Sequence, residues 1–433
     1  MNDLSELIKS EEERQSATLT LIPSENYASK KVREIVGSRL SNKYSEGYPK
    51  KRYYQGNIFI DEIETLAVEK AKKLFNVPHA NVQPYSGSPA NSEILFALCD
   101  YRDKIMGLKL SAGGHLTHGH PDITFSGKYF TSIQFGLDES GLLDYKEIET
   151  LAKKEKPKVM IIGTTAYPLA FDWKKFSEIA DSVNAYLVAD ISHVSGLILG
   201  NVYPDPSSFA HILMTTTHKT LRGPRGAIIM VTQKGVEKDS DLPEKIDKAV
   251  FPGFQGGPHN NTTAGIAQAL IEADSISFKN YANQVVKNAK RLADLLKKGG
   301  LTLVGGTTEC HLMVVDLRPL NLSGNVVAEA LEVAGIIVNR NSVPNDLMPP
   351  FYPSGIRLGT PAITTRGLKE KDMEIIANWI LEIVDYVKEY RLPSNPDERK
   401  EFIKTFKVKI QNDSFLKDIS EKVKKFLLDF PFP

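Results

Sequence analysis

Cysteine is nearly missing from this 433-residue chain: only Cys99 and Cys310 occur, each inside an apolar stretch (FALCD and TECHLMVV). A disulfide framework or a Cys-based zinc site is therefore not expected, and both residues should pack as small apolar side chains. Net charge is missing as well. Lys plus Arg number 54 against 53 Asp plus Glu, a formal +1, so no overall field points to nucleic acid or to an anionic membrane. Apolar runs such as Val159–Ile162 and Ala227–Val231 are far too short to cross a bilayer. The opening MNDLSELIKSEEERQ is acidic and polar where a signal peptide needs a basic start and an apolar stretch. The expectation is a cytoplasmic protein with neither a membrane nor a nucleic-acid partner. A G-x-G-x-x-G fingerprint and a G-x-x-x-x-G-K-[ST] loop are also absent, which weakens nucleotide-binding readings.

What is present suits a large globular protein: 41% hydrophobic and 25% charged residues over a length that suggests two or three domains. From about residue 60 to 235, short apolar runs alternate with amphipathic stretches. FIDEIETLAVEKAKKLF carries a helical stripe at three- and four-residue steps, while KVMIIG, AYLVAD, HILMTTT and AIIMVT read as buried strands. This alternation predicts an α/β fold with a mostly parallel mixed sheet, which places ligands at the carboxyl ends of its strands. A helical stretch over residues 262 to 298 reads as a bridge to a smaller α/β C-terminal domain, with strands at LTLVGG, HLMVVDL and AGIIVNR. The polar, turn-rich first 50 residues have too little apolar content for their own core. The expected organisation is an N-terminal arm over 1–50 that packs on a second subunit, a large domain over 51–275 and a small domain over 276–433.

Three elements carry chemistry. In MTTTHKTLRGPRG, Lys219 follows a strand and a polar run, where a parallel sheet presents its ligand; a desolvated lysine there can form a Schiff base with a carbonyl cofactor. In YLVADISHVSG, Asp190 ends an apolar strand, as a pyridinium nitrogen requires of its partner, although a helix N-cap would look the same. In QPYSGSPANSEILFAL, a small-residue turn opens a helix, so the N–H groups of Gly87 and Ser88 and the hydroxyls of Ser86 and Ser88 could cradle a phosphate. In that order the three suggest pyridoxal phosphate. His115, His118 and His120 invite a metal reading, but spacings of three and two without Cys or Glu make no zinc pattern, and no metal is expected.

With these residues in view, the sequence resembles the serine hydroxymethyltransferase family, pyridoxal-phosphate enzymes of fold type I (aspartate-aminotransferase-like). The likeness covers most of the chain through LIPSENY, NKYSEGYPKKRYYQG, QPYSGSPAN, GGHLTHG, ADISHVSGL, TTTHKTLRGPRG, FPGFQGGP and NRNSVPND. It implies reversible serine–glycine interconversion, with pyridoxal 5'-phosphate as cofactor and tetrahydrofolate or a modified tetrahydropterin as one-carbon carrier. By resemblance, Lys219 holds the cofactor and His218 lies near its phosphate. Asp190 pairs with the ring nitrogen, and His115 stacks on the ring. His193 contacts the phenolic oxygen or the substrate hydroxyl, and Ser86, Gly87 and Ser88 take the phosphate. Tyr44, Gly256 and Gly257 would reach that phosphate from the neighbouring subunit, which implies a homodimer with shared sites and leaves a dimer of dimers open. Arg357, assisted by Ser24, would clamp the amino-acid carboxylate. Glu46 resembles the family's proton-transfer carboxylate, Tyr54 its substrate-positioning tyrosine, and Asn341 would help hold the pterin.

Some residues depart from the family pattern. Thr165 stands where serine is common, and its hydroxyl could still bond the phenolic oxygen. Phe254 replaces a common glycine, Asn261 a common histidine, and Leu169 and Arg222 also differ. None removes a group that the chemistry requires. A pterin-independent threonine aldolase-type enzyme of the same fold remains an alternative, as does a non-catalytic binding or regulatory protein.

Overall fold

In the computed structural model, which describes residues 3–121 and 123–433, the apolar runs in the middle of the chain become buried strands. Helices α1 (Leu4–Ser16), α2 (Ile58–Phe75) and α3 (Gly87–Leu98) lie in the first hundred residues. Seven strands then share one sheet: β1 (His79–Asn81), β2 (Lys104–Leu108), β3 (Thr131–Phe135), β4 (Val159–Gly163), β5 (Tyr186–Asp190), β6 (Ile212–Thr216) and β7 (Ala227–Val231). Their order is β1-β7-β6-β5-β4-β2-β3. The pairings from β6 through β5, β4 and β2 to β3 are parallel, and β7 runs antiparallel to both β6 and β1. Every residue of β4, β6 and β7 is buried. A strand covered on both faces has no solvent side on which to alternate, which explains the unbroken apolar runs. Val159, Ile161, Val188 and Ile212 share a core with Ile94 and Leu95 of α3. Each aliphatic side chain removed from water there contributes about 1.5–3 kcal/mol.

The chain divides into two compact units. The larger comprises Asn26–Thr165 and Ala170–Asn283 and holds the seven-stranded sheet, α2, α3 and α4 (Asn260–Ala273). The smaller comprises the residues up to Glu25, Ala166–Leu169 and Gln284–Pro433. Its antiparallel sheet contains β8 (Thr302–Leu303), β9 (Leu312–Asp316), β10 (Asn339–Asn341) and β11 (Gly355–Gly359), in the order β8-β9-β11-β10. Helix α5 (Ile276–Lys298) crosses the division in sequence. Later helices, including Gly324–Val333, Asp372–Tyr386 and Ser414–Leu427, supply Val327, Ile380 and Ile419 to the smaller unit's core.

This organisation differs from the expected arm over 1–50 and boundary at 275/276. The stretch up to Glu25 belongs with the smaller unit, because Leu19 and Leu21 are fully buried in its core and Leu19–Thr20 pairs in parallel with Ile336–Ile337. Residues 26–50 belong with the larger unit, and the second boundary falls at Asn283/Gln284. The helix expected over 262–298 is two, α4 and α5, parted at Asp274 and Ser275. Cys99 and Cys310 are free and buried. Among the described residues, no helix is long and apolar enough to cross a membrane.

Candidate active site

Two strand ends and one helix start converge on a cavity of about 240 Å³ in the larger unit. Asp190 is the last residue of β5. Its Oδ2 accepts from His118 Nε2 at 2.9 Å and from Asn91 Nδ2 at 3.0 Å, and its Oδ1 accepts from the Ser192 N–H at 3.1 Å. Burial alone would raise its pKa. The hydrogen bond and charge of His118, with His115 and Ser192, more than reverse this and hold the carboxyl well below its usual range. The close fit extends to β4, where a Cβ on Gly163 would lie 2.5 Å from the Asp190 carbonyl oxygen and 3.1 Å from His118 Cε1.

Lys219 lies three residues beyond β6 and donates from Nζ to Thr216 Oγ1 at 3.0 Å. The loop that carries it is closed by Thr217 N–H to Gly226 O (3.1 Å) and Gly223 N–H to Thr217 O (2.7 Å). Opposite, Ser86 precedes α3 in extended conformation, yet its side chain makes no capping hydrogen bond. A Cβ on Gly87 would lie 2.6 Å from Thr216 Cγ2, so only glycine lets α3 start so close to β6. His115, Thr165, His193 and His218 line the same cavity. Burial first, then repulsion from nearby cations, lowers His115 to about 4 and His218 to about 3, so both rings are neutral near pH 7. Thr165 donates from Oγ1 to the Gly114 carbonyl at 3.0 Å.

Nine expected residues (Ser86, Gly87, Ser88, His115, Thr165, Asp190, His193, His218 and Lys219) are thus brought together. Tyr44, Glu46, Tyr54, Gly256 and Gly257 are not in that lining. They form a second cluster in the same unit: the Tyr44 and Tyr54 rings are 5.3 Å apart, and a Cβ on Gly257 would lie 2.8 Å from Tyr44 Cε1. A Cβ on Gly256 would lie 3.4 Å from Glu46 Oε1. Arg52 fixes this segment. Its guanidinium donates to the Ser45 and Gly47 carbonyls at 2.8 and 2.7 Å, bracketing Glu46, and to Glu64 and Asp61 at 2.6 and 2.8 Å.

Arg357, Asn341 and Ser24 belong to the smaller unit. Arg357 on β11 is buried, which pushes its pKa down to about 10, and it donates from Nε to Asn339 Oδ1 at 2.9 Å. Asn341 ends β10 and donates to the Ser342 carbonyl at 2.6 Å. Ser24 follows Leu21–Pro23, a stretch tied to the end of β11 by Gly359 N–H to Leu21 O at 2.7 Å.

The sequence alone does not mark Asn91, Thr164, Ser192, Met214, Thr216 or Arg225 as cavity residues, and it offers His118 only as a metal candidate. Asn91 and Arg225 stand inside quoted motifs, but only the folded chain turns them toward Asp190 and the cavity. Among the described residues, no group of three or more His, Cys, Asp or Glu is placed to hold a metal. Of the departures, Phe254 packs its ring against Phe96 and Phe125, away from the cavity lining, and Asn261 donates to the Val36 carbonyl at 2.7 Å.

These groups fit pyridoxal 5'-phosphate. The start of α3, with free helix N–H groups, lines the cavity together with Arg225 and His218, whose Nδ1 is buried without a hydrogen-bond partner. Asp190 is held ionised, as a protonated ring nitrogen needs. Comparisons with known proteins agree. A family model described as serine hydroxymethyltransferase matches residues 1–380. A serine hydroxymethyltransferase of Acidothermus cellulolyticus is 53% identical over 385 residues, covering 89% of this chain and 88% of its own. One of Desulfotalea psychrophila is 51% identical over 383 residues, 88% of each. The chain belongs to the serine hydroxymethyltransferase family, with its mixed α/β fold-type-I architecture.

Proposed function

We propose that this protein moves the hydroxymethyl carbon of serine reversibly to tetrahydrofolate, releasing glycine, with pyridoxal 5'-phosphate as cofactor. The observation that carries the reading is the meeting of Asp190, Lys219 and the Ser86–Ser88 turn around one cavity. When bound, the cofactor supplies an electron sink for the α-carbon of the amino acid. Lys219 holds it through its amine. The N–H groups and hydroxyls at Ser86–Ser88, with His218 and Arg225, hold the phosphate, and Asp190 keeps the ring nitrogen protonated. His115, neutral, would stack on the ring, Thr165 would bond the phenolic oxygen, and His193 would contact that oxygen or the substrate hydroxyl. Arg357, with Ser24, takes the substrate carboxylate in a bidentate pair that lysine cannot form, and so orients the bond that breaks. Glu46 moves a proton at the hydroxymethyl oxygen, Tyr54 positions the substrate, and Asn341 holds the pterin.

The reading includes a homodimer with shared sites, in which Tyr44, Glu46, Tyr54, Gly256 and Gly257 complete the cavity of a second copy. Their separation from the cavity lining of their own chain supports this, as does the exposure of Tyr44 and Tyr54 (56% and 45%). Two free, buried cysteines suit the reducing cytoplasm we propose as its location. The test is exchange of labelled glycine into serine by the cofactor-loaded protein, with and without the carrier. Dependence on tetrahydrofolate is expected; full-rate turnover without it would move the activity to the threonine aldolase type.

A further inference from the structure

Two residues outside the cavity lining, Asn26 and Arg222, donate to the Lys219 carbonyl, and a third, Tyr281, touches both. Asn26 donates from Nδ2 to the Lys219 carbonyl at 2.9 Å and to the Tyr281 hydroxyl at 2.7 Å, while its Oδ1 accepts from the Tyr27 N–H at 2.9 Å. Each proton of the amide thus has its own oxygen, and flipping the amide would break the bonds to the Lys219 carbonyl and the Tyr27 N–H. The Arg222 N–H also donates to the Lys219 carbonyl, at 3.1 Å. Arg222 adopts φ +60°, a conformation that residues with a Cβ rarely take. Its guanidinium lies 4.0 Å above the Tyr281 ring, a cation–π contact that holds the residue there. Tyr281, in the first turns of α5, therefore grips both donors to one carbonyl: Asn26 through its hydroxyl and Arg222 through its ring.

We propose that Tyr281 is a positioning residue for Lys219, fixing the main-chain position from which the lysine amine reaches the cavity. This rests on the proposed function. The lysine stem has a fixed reach from its main chain to the cavity, so a displaced main chain changes where and at what angle the amine arrives, and small misplacements at the reacting atoms are costly.

The test uses Tyr281→Phe, Asn26→Ala and the double variant, each loaded with pyridoxal 5'-phosphate. Tyr281→Phe keeps the ring and its cation–π contact and removes the acceptor for Asn26. Expected is an unchanged Tm, kcat lowered about tenfold and KM for serine within about twofold. The visible circular dichroism of the bound cofactor, which reports how the ring is held, should fall. The double variant should be no worse than Asn26→Ala alone, because both changes act on one network. Equal kcat and visible dichroism in Tyr281→Phe, fully additive losses, or a lowered Tm with dichroism unchanged would each overturn the inference. Failure of the unaltered protein to gain any visible absorbance with the cofactor would instead overturn the function itself, and the inference with it.

Discussion

A carboxylate taken out of water is costly unless donors meet it, and Asp190 has three: His118, Asn91 and the Ser192 N–H. His118, fully enclosed, gives the strongest of these. His118→Phe keeps a ring in place and removes the donor. It should lower stability at pH 7 by about 1–3 kcal/mol and weaken cofactor binding, measured by urea unfolding and by titration. Because folding lowers the Asp190 pKa, its contribution is present above the unfolded value near 3.9 and is lost as pH falls through the folded value. In His118→Phe the folded value rises, so the acid loss should begin at higher pH; superimposable acid limbs would contradict this. Arg357 illustrates the opposite sign of charge. Arg357→Lys should raise KM for serine about 10- to 100-fold, the worth of one charge-assisted bond of ~1.5–3 kcal/mol, with a smaller change in kcat. The sequence disclosed both residues by their motifs. It could not disclose that His118, grouped with His115 and His120 by spacing, sends its Nε2 to Asp190.

At the scale of elements, the site depends on α3 starting against β6. Gly87→Ala would place a methyl 2.6 Å from Thr216 Cγ2 and force the first turn of α3 outward. Cofactor Kd should rise roughly tenfold while the secondary structure persists, since Gly→Ala is otherwise tolerated at a helix start; an unchanged Kd would mean that this turn does not hold the phosphate. Strands β4 to β7 were legible because full or nearly full burial leaves apolar runs. β2 was hidden by its leading Lys104 and by Gly107, and β3 by four half-buried residues at the sheet edge. LTLVGG and AGIIVNR promised strands but yield only Thr302–Leu303, Ile336–Ile337 and Asn339–Asn341. The hairpin next to Glu46, in which Gly47–Tyr48 pairs with Lys51–Arg52, was equally hidden, because its shape comes from long-range bonds of Arg52 to Glu64 and of Gln83 to Gly47 and Glu64.

For the whole molecule, the cavity residues and the Tyr44–Glu46–Tyr54 cluster occupy different places on one chain. If sites are shared, Lys219→Arg and Glu46→Gln should each be inactive, yet co-refolding them should restore about a quarter of the activity, one working site in each mixed dimer. No recovery despite mixed dimers would place Glu46 in its own chain's site. The two-unit division has a similar lesson: the residues before Glu25 look like a loose arm because they are polar, yet Leu19 and Leu21 anchor them in the core of the smaller unit. Everything in the proposed chemistry converges on the amine of Lys219. Borohydride reduction of the cofactor-loaded protein, followed by digestion and mass spectrometry, should find the phosphopyridoxyl group on Lys219 alone. Its presence on another lysine, or on none, would contradict the account.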